Sequence, residues 1–240
     1  MSAEEAIWHD VECGGYEVDL PAWVELAGRH GGPVLDVGAG TGRVAIPLAR
    51  GGLEVTALDV DPSLLAVLGQ RSEEEGLSIE TVCADARGWR APFGFSLILV
   101  PMQTIQLFGG PDGRCRFLGA ARENLVDEGV VAIAVADMTP GEASIPAAFP
   151  ADVMSVGDSV YASRPVCVSR DGPTMVIERE RVRTVNGSEA ARNSCLLEID
   201  DVGASEIERD ARSVGLTTAG RLSIPADGAY LGAEVVLLRG

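Results

Sequence analysis

The chain of 240 residues contains no lysine; all 19 of its basic side chains are arginine. A lysine Schiff base, a phosphate-loop lysine and a lysine general base are therefore excluded. Histidine is scarce too, with only His9 and His30, so few side chains can take a proton near neutral pH. Positive charge is in deficit: 36 acidic residues against 19 arginines leave a formal net charge of -17. Binding to nucleic acid draws its affinity from basic side chains set against phosphates. An anionic membrane surface makes the same demand. Neither partner is expected. No C-x-x-C pair occurs among Cys13, Cys83, Cys115, Cys167 and Cys195. Neither a metal site nor a disulfide framework is predicted, and a dispersed, odd set fits a reducing compartment. No apolar run reaches the roughly 20 residues of a membrane span. The opening MSAEEA is acidic, which predicts no signal peptide. The expectation is a soluble, cytoplasmic protein with a small-molecule substrate, and a homodimer is compatible with the sequence.

What is present is an alternation of strands and helices. Residues 20–30 space Trp23, Leu26 and Ala27 for one helix face, and Gly31-Gly32 stop them. Strands are predicted over 33–37, 54–58, 77–83, 95–100 and 130–136, with helices over 41–50, 61–75 and 111–125 between them. Asp61-Pro62 supplies a cap and a first helical residue. Such alternation predicts a parallel sheet with right-handed crossovers. From 153 to 199 the pattern becomes strand-like pieces with Asp171-Gly172 and Asn186-Gly187 between them, which predicts a small antiparallel sheet. A helix over 205–214 and strands over 216–224 and 235–238 close the chain. The Pro-containing stretch 139–150 is the candidate linker. Residues 1–240 read as a single domain, with 1–32 an N-terminal helical or lid segment and 139–200 a β-rich insertion covering the substrate side.

The densest chemistry lies in Val34-Leu35-Asp36-Val37-Gly38-Ala39-Gly40-Thr41-Gly42-Arg43, where glycines alternate between a buried strand and a helix. Glycine admits positive φ and lets a ligand approach the backbone. Alone, the cluster is equally a tight strand-to-helix turn. A dinucleotide fingerprint needs its third glycine one residue later, and a carboxylate at Asp36 suits a cationic ligand better than a pyrophosphate. Two further strands end in acids. Asp59, about twenty residues on, can accept both hydroxyls of a ribose, and Asp85 can reach an adenine amino group.

The segments VLDVGAGTGRV, ALDVD, CADA, FSLILVPMQTIQLF and LVDEGVVAIAVADM together resemble the successive motifs of class I S-adenosylmethionine-dependent methyltransferases. The resemblance covers residues 33–138. It implies an α/β, Rossmann-like, doubly wound seven-stranded sheet whose last strand is antiparallel, here with the small antiparallel β insertion. It implies S-adenosyl-L-methionine as cofactor and S-adenosyl-L-homocysteine as product. By the same resemblance Asp36, Gly38, Ala39, Gly40 and Gly42 surround the methionine part, Asp59 holds the ribose diol with Val60 beside the adenine, and Asp85 and Ala86 contact the adenine. Val100 and Met102 would lie beneath the sulfonium, and Tyr16 would sit in a segment folding over the cofactor.

Methyl transfer needs few catalytic side chains, so the sequence marks them poorly. His9, in IWHDVECGGY, is the one base candidate, and His30 reads as a helix-end cation. Met102, Gln103 and Gln106 are the substrate-contact candidates. The run Pro101-Met102-Gln103-Thr104 lacks the proline-proline-aromatic tetrapeptide of DNA amino-methyltransferases and the proline-cysteine of cytosine enzymes, in agreement with the charge. The strand Glu178-Arg179-Glu180-Arg181-Val182-Arg183 is expected to be a solvated sheet face, with a pocket for an acidic substrate as the alternative. The expected activity is methyl transfer to oxygen or nitrogen of a small molecule. A catalytically silent cofactor-binding module of the same fold, a nicotinamide dehydrogenase and an aminopropyl transferase are the competing readings.

Overall fold

The computed structural model describes residues 3–136, 150–226 and 232–240. Seven strands form the main sheet: β1 (Val34–Val37), β2 (Val55–Asp59), β3 (Ile79–Cys83), β4 (Phe95–Val100), β5 (Leu125–Ala136), β10 (Thr217–Ile224) and β11 (Ala233–Arg239). Their order is β10-β11-β5-β4-β1-β2-β3. β1 to β5 pair in parallel, while β11 runs antiparallel to both β5 and β10. The central strands β1, β4 and β5 are almost wholly buried, as apolar runs covered on both faces should be. Alternation along them sends Leu35, Val37, Ile98, Val131 and Ile133 to one core, with Phe117 and Leu118 of α5 (Gly110–Glu123) and Ile207 of α6 (Ala204–Ser213). It sends Val34, Leu97, Leu99 and Ala132 to the other, with Trp23 and Leu26 of α2 (Leu20–His30), Leu48 of α3 (Ala45–Arg50) and Leu68 of α4 (Pro62–Glu74).

α3 begins at Ala45 rather than Thr41. Gly40 and Gly42 take φ of 53° and 97°, which no right-handed helix contains. Asp61 caps α4 as expected, its carboxylate accepting from Ser63 N at 2.8 Å. The N-terminal segment is more helical than its sequence suggests, with α1 (Ala3–His9) followed by a wide helical turn over Asp10–Gly14.

The insertion is a four-stranded antiparallel sheet, β6 (Asp152–Val156), β7 (Ser159–Asp171), β8 (Thr174–Val185) and β9 (Ser188–Asp200), in that spatial order. Val185 pairs with Ser188, so Asn186-Gly187, both at positive φ, make the two-residue turn whose twist matches a hairpin. A further turn at Gly157-Asp158 divides β6 from β7. The linker candidate 139–150 lies outside the described residues except for Pro150. At its far end the small sheet is fixed to the main one. The Asp200 carboxylate accepts from Gly110 N at 2.8 Å and from Arg114 Nη1 at 2.7 Å, and Arg114, only 4% exposed, also donates to Asp210.

Candidate active site

The glycine loop leaves β1 at the carboxyl edge of the sheet. Each glycine there is required by something different. At Gly38 an added Cβ would stand 2.6 Å from Thr104 Cγ2, at Gly40 2.5 Å from His9 Cε1, and at Gly42 2.9 Å from Ile46 Cδ1. Such distances are well inside van der Waals contact, and all three φ values are positive. The loop is therefore packed from above by the N-terminal segment and by the residues after β4, and from below by the core.

Asp36, next to last in β1, is 1% exposed; the backbone N–H of Ala45 is directed to its carboxylate, but neither oxygen has a hydrogen-bond partner of ordinary geometry among the described residues. Burial pushes its pKa up to about 7, against the opposing charge of Arg43. A buried carboxylate left without partners is costly, and a cationic ligand would relieve it. Asp59 ends β2 with its two oxygens accepting from Gly40 N and Asp61 N, each at 2.9 Å. It thereby ties the glycine loop to the second strand. Val60 beside it is 68% exposed. Asp85 is exposed and paired with Arg87, Nη2 to Oδ2 2.8 Å, and that hydrogen bond holds its carboxyl below the usual range. Ala86 is buried next to it.

After β4, Val100 is fully buried and presents no surface. Met102 adopts φ 53°, a conformation that strains a non-glycine residue by about 1 kcal/mol or more and that concentrates at functional sites. Gln103 is half-buried beside it. Gln106 is a correction. It is 1% exposed, its Nε2 donates to Asp200 O at 3.0 Å, and its Oε1 accepts from Ala136 N at 3.2 Å. The side chain ties β5 to the end of β9, and at this burial it offers no surface to a substrate.

The N-terminal segment lies across the loop. Asp10 accepts from Thr41 Oγ1 at 2.6 Å and pairs with Arg71. Tyr16 is buried, with Arg43 5.2 Å from its ring centre and donating to its carbonyl. Arg43 is held in turn by Asp19, which also accepts from Trp23 Nε1 at 2.7 Å. His9 stands over Gly40; burial lowers its pKa despite nearby Asp10, Asp59 and Glu12. That places it against the glycine loop, with Asp59 among its charged neighbours. His30 ends α2, but burial and the charges of Arg239 and Arg29 lower its pKa. It is therefore no helix-end cation at neutral pH.

The arginine-bearing strand is the second correction. Its alternation sends Arg179, Arg181 and Arg183 to one face and Glu178 and Glu180 to the other. On the glutamate face Glu180 lies between Arg164 and Arg192. On the arginine face Arg181 donates to both Glu12 oxygens at 2.8 Å and to Glu5 at 3.1 Å, Arg183 donates to Glu4 at 3.0 Å, and Arg179 pairs with Asp152. The acids that occupy this face belong to the chain itself. Burial favours the neutral form of Glu12, but hydrogen bonds from Arg181 and Ser163 outweigh it and hold the carboxyl low. Between these ion pairs Trp8, Val11 and Tyr161 form a small apolar cluster, Trp8 edge-on to Tyr161 at 5.0 Å.

Residues 34–139 match the family model of a methyltransferase domain. An uncharacterised protein of Mycobacterium tuberculosis is 42% identical over 71 residues, which is 29% of this chain and 23% of that protein. The chain thus spans less than a quarter of the length of that curated relative. Among solved structures, the CcbJ methyltransferase of Streptomyces caelestis is similar with a TM-score of 0.74 at 18% identity, over 94% of this chain and 91% of that one. An S-adenosylmethionine-bound amino pentose methyltransferase from Micromonospora echinaspora gives 0.73 at 16% identity, over 99% and 97%. Sheet order and reversed final strand define a doubly wound α/β domain, a fold that takes ligands outside the carboxyl ends of its strands, where the glycine loop and strand-end acids lie. Residues 34–139 are thus similar to a methyltransferase domain, and the fold is the one shared by these methyltransferase structures. S-adenosylmethionine, bound in the amino pentose methyltransferase, fits the residues present: a cationic ligand answers the buried Asp36, and the positive-φ glycines expose backbone at the loop.

Proposed function

We propose that the protein transfers a methyl group from S-adenosylmethionine to a small-molecule acceptor at oxygen or nitrogen. The observation that carries this is Asp36, a carboxylate buried at the glycine loop with no partner of ordinary geometry for either oxygen. The cofactor supplies a methyl group on a positively charged sulfur. Asp36 would meet positive charge, Asp59 would hold the ribose hydroxyls from the end of β2, and Val60, Asp85 and Ala86 would border the adenine. Val100 and Met102 would support the reacting end, with Met102 and Gln103 toward the acceptor. Tyr16 and the segment before it would close over the cofactor, while β6 to β9 form the roof on the acceptor side. Their meeting at Trp8, Val11 and Tyr161 supports a water-excluding site, in which orientation and dryness contribute much of the rate. The net charge supports a small acceptor in place of nucleic acid.

The amino pentose methyltransferase among the structural neighbours makes amino sugars the first acceptors to try. Incubation with radiolabelled S-adenosylmethionine and a panel of amino sugars, hydroxylated sugars and small amines tests the reading. Label transfer to a member of the panel is expected. Cofactor binding with no transfer across a broad metabolite panel would instead favour a silent module of the same fold.

A further inference from the structure

Two polar groups at the glycine loop are buried without partners of ordinary geometry: the Asp36 carboxylate and Nδ1 of His9. An unpartnered buried polar atom calls for an explanation. His9 does not lie there loosely. Its ring fits against the bare Cα of Gly40, where an added Cβ would come within 2.7 Å of Nε2. The residue before it, Trp8, is 4% exposed and lies between Tyr161 and the Arg181 guanidinium, 5.3 Å from the Trp8 ring centre. The residue after it, Asp10, is tied to Thr41 and Arg71. The imidazole is thus fixed from both sides. Asp10, Asp59, Glu12 and Arg43 are the charged groups around it.

The Asp36 carboxylate accepts hydrogen bonds, and Nδ1 accepts in the tautomer that carries its proton on Nε2; a donor satisfies either, and a cation suits Asp36. Sulfur in a sulfonium carries no hydrogen to donate; the ammonium of an amino acid carries three. Resting on the reading of the chain as an S-adenosylmethionine-binding protein, we infer that His9 is a cofactor-binding residue whose Nδ1 accepts from the ammonium group of the cofactor's amino-acid end. The ring then carries its proton on Nε2. This places His9 on the cofactor and not on the acceptor as a base.

Calorimetric binding of S-adenosylhomocysteine and of methylthioadenosine, which has the same nucleoside and sulfur but no amino-acid end, tests the inference without any turnover. His9→Ala is expected to weaken S-adenosylhomocysteine roughly ten- to hundredfold, the range of one hydrogen bond to a charged group, and to leave methylthioadenosine unchanged. The methylthioadenosine arm also reports that the variant is folded. His9→Asn, whose amide oxygen can take the place of Nδ1, is expected to recover most of the loss. Wild-type affinity for S-adenosylhomocysteine in His9→Ala would overturn the inference, leaving the imidazole as a filler over Gly40. An equal loss for both ligands would overturn it too, because only closure of the segment would then be affected. Wild-type protein that binds neither ligand would overturn the underlying reading itself.

Discussion

Asp36 concentrates most of the site's electrostatics in one side chain. Its folded pKa of about 7 lies above the unfolded value of 3.8 because burial disfavours the charge. Its contribution to stability is therefore fully present below about pH 4 and is lost as pH rises through 7. Asp36→Asn, neutral throughout, should gain in melting temperature relative to wild type between pH 5 and pH 8; a gap that stays constant would remove the raised pKa from the account. A cationic ligand reverses the preference and draws the proton off. Wild-type affinity for S-adenosylhomocysteine should fall below pH 7, with proton release seen in buffers of different ionisation enthalpy, and Asp36→Asn should bind more weakly with a flatter pH profile. Asp59→Ala should weaken the same ligand about tenfold or more, since on the proposed reading it removes the ribose contacts, along with the bonds from Gly40 N and Asp61 N. Unchanged affinity would take Asp59 out of the site. These acids are legible in the sequence because each is marked locally, by a strand end and its neighbours. Gln106 was not, because the groups that consume it, Ala136 N and Asp200 O, lie 30 and 94 residues away.

At the scale of elements, the N-terminal segment is a strap between the glycine loop and the small sheet. Asp10 fastens it to Thr41 and Arg71, and Glu4, Glu5 and Glu12 fasten it to Arg181 and Arg183. Arg181 and Glu12 are both mostly buried, so their coupling should exceed that of an exposed pair. A double-mutant cycle of Arg181→Ala and Glu12→Ala should give more than about 1 kcal/mol, where exposed pairs give less. Hydrogen exchange of residues 3–19 should rise in either single variant. Gly40→Ala should lift the strap, because its Cβ would collide with the His9 ring at a φ that favours glycine. Proteolysis within residues 3–19 should then speed up while the main sheet stays protected. The sheet strands and α4 could be read from apolar runs and a capping pair. The strap could not, because α1 is short and its acids gain meaning only opposite β8. The Glu-Arg alternation was the available signal. Read as period two it segregates charge by face, but it does not say what covers the arginine face.

At the scale of the whole molecule, the -17 charge and the absence of lysine acquire structure. Several arginines are committed to ion pairs that join separate elements: Arg43 and Arg71 at the loop, Arg114 at the joint of the two sheets, Arg179 and Arg181 under the strap. Bidentate geometry favours guanidinium over ammonium in such partly buried places. No described helix is long and apolar enough to cross a membrane. The parallel sheet, its seven strands and its antiparallel last strand followed from the alternating pattern together with the family resemblance, whereas the attachment of the insertion through Asp200, Arg114 and Gln106 had no local mark. The central claim is that the carboxyl edge of the main sheet binds S-adenosylmethionine. Calorimetry of the wild-type protein with S-adenosylhomocysteine, with NAD as the competing ligand, tests it most directly. Saturable one-to-one binding of S-adenosylhomocysteine at micromolar concentrations, with none for NAD, is the predicted result; binding of NAD with none of S-adenosylhomocysteine would contradict it.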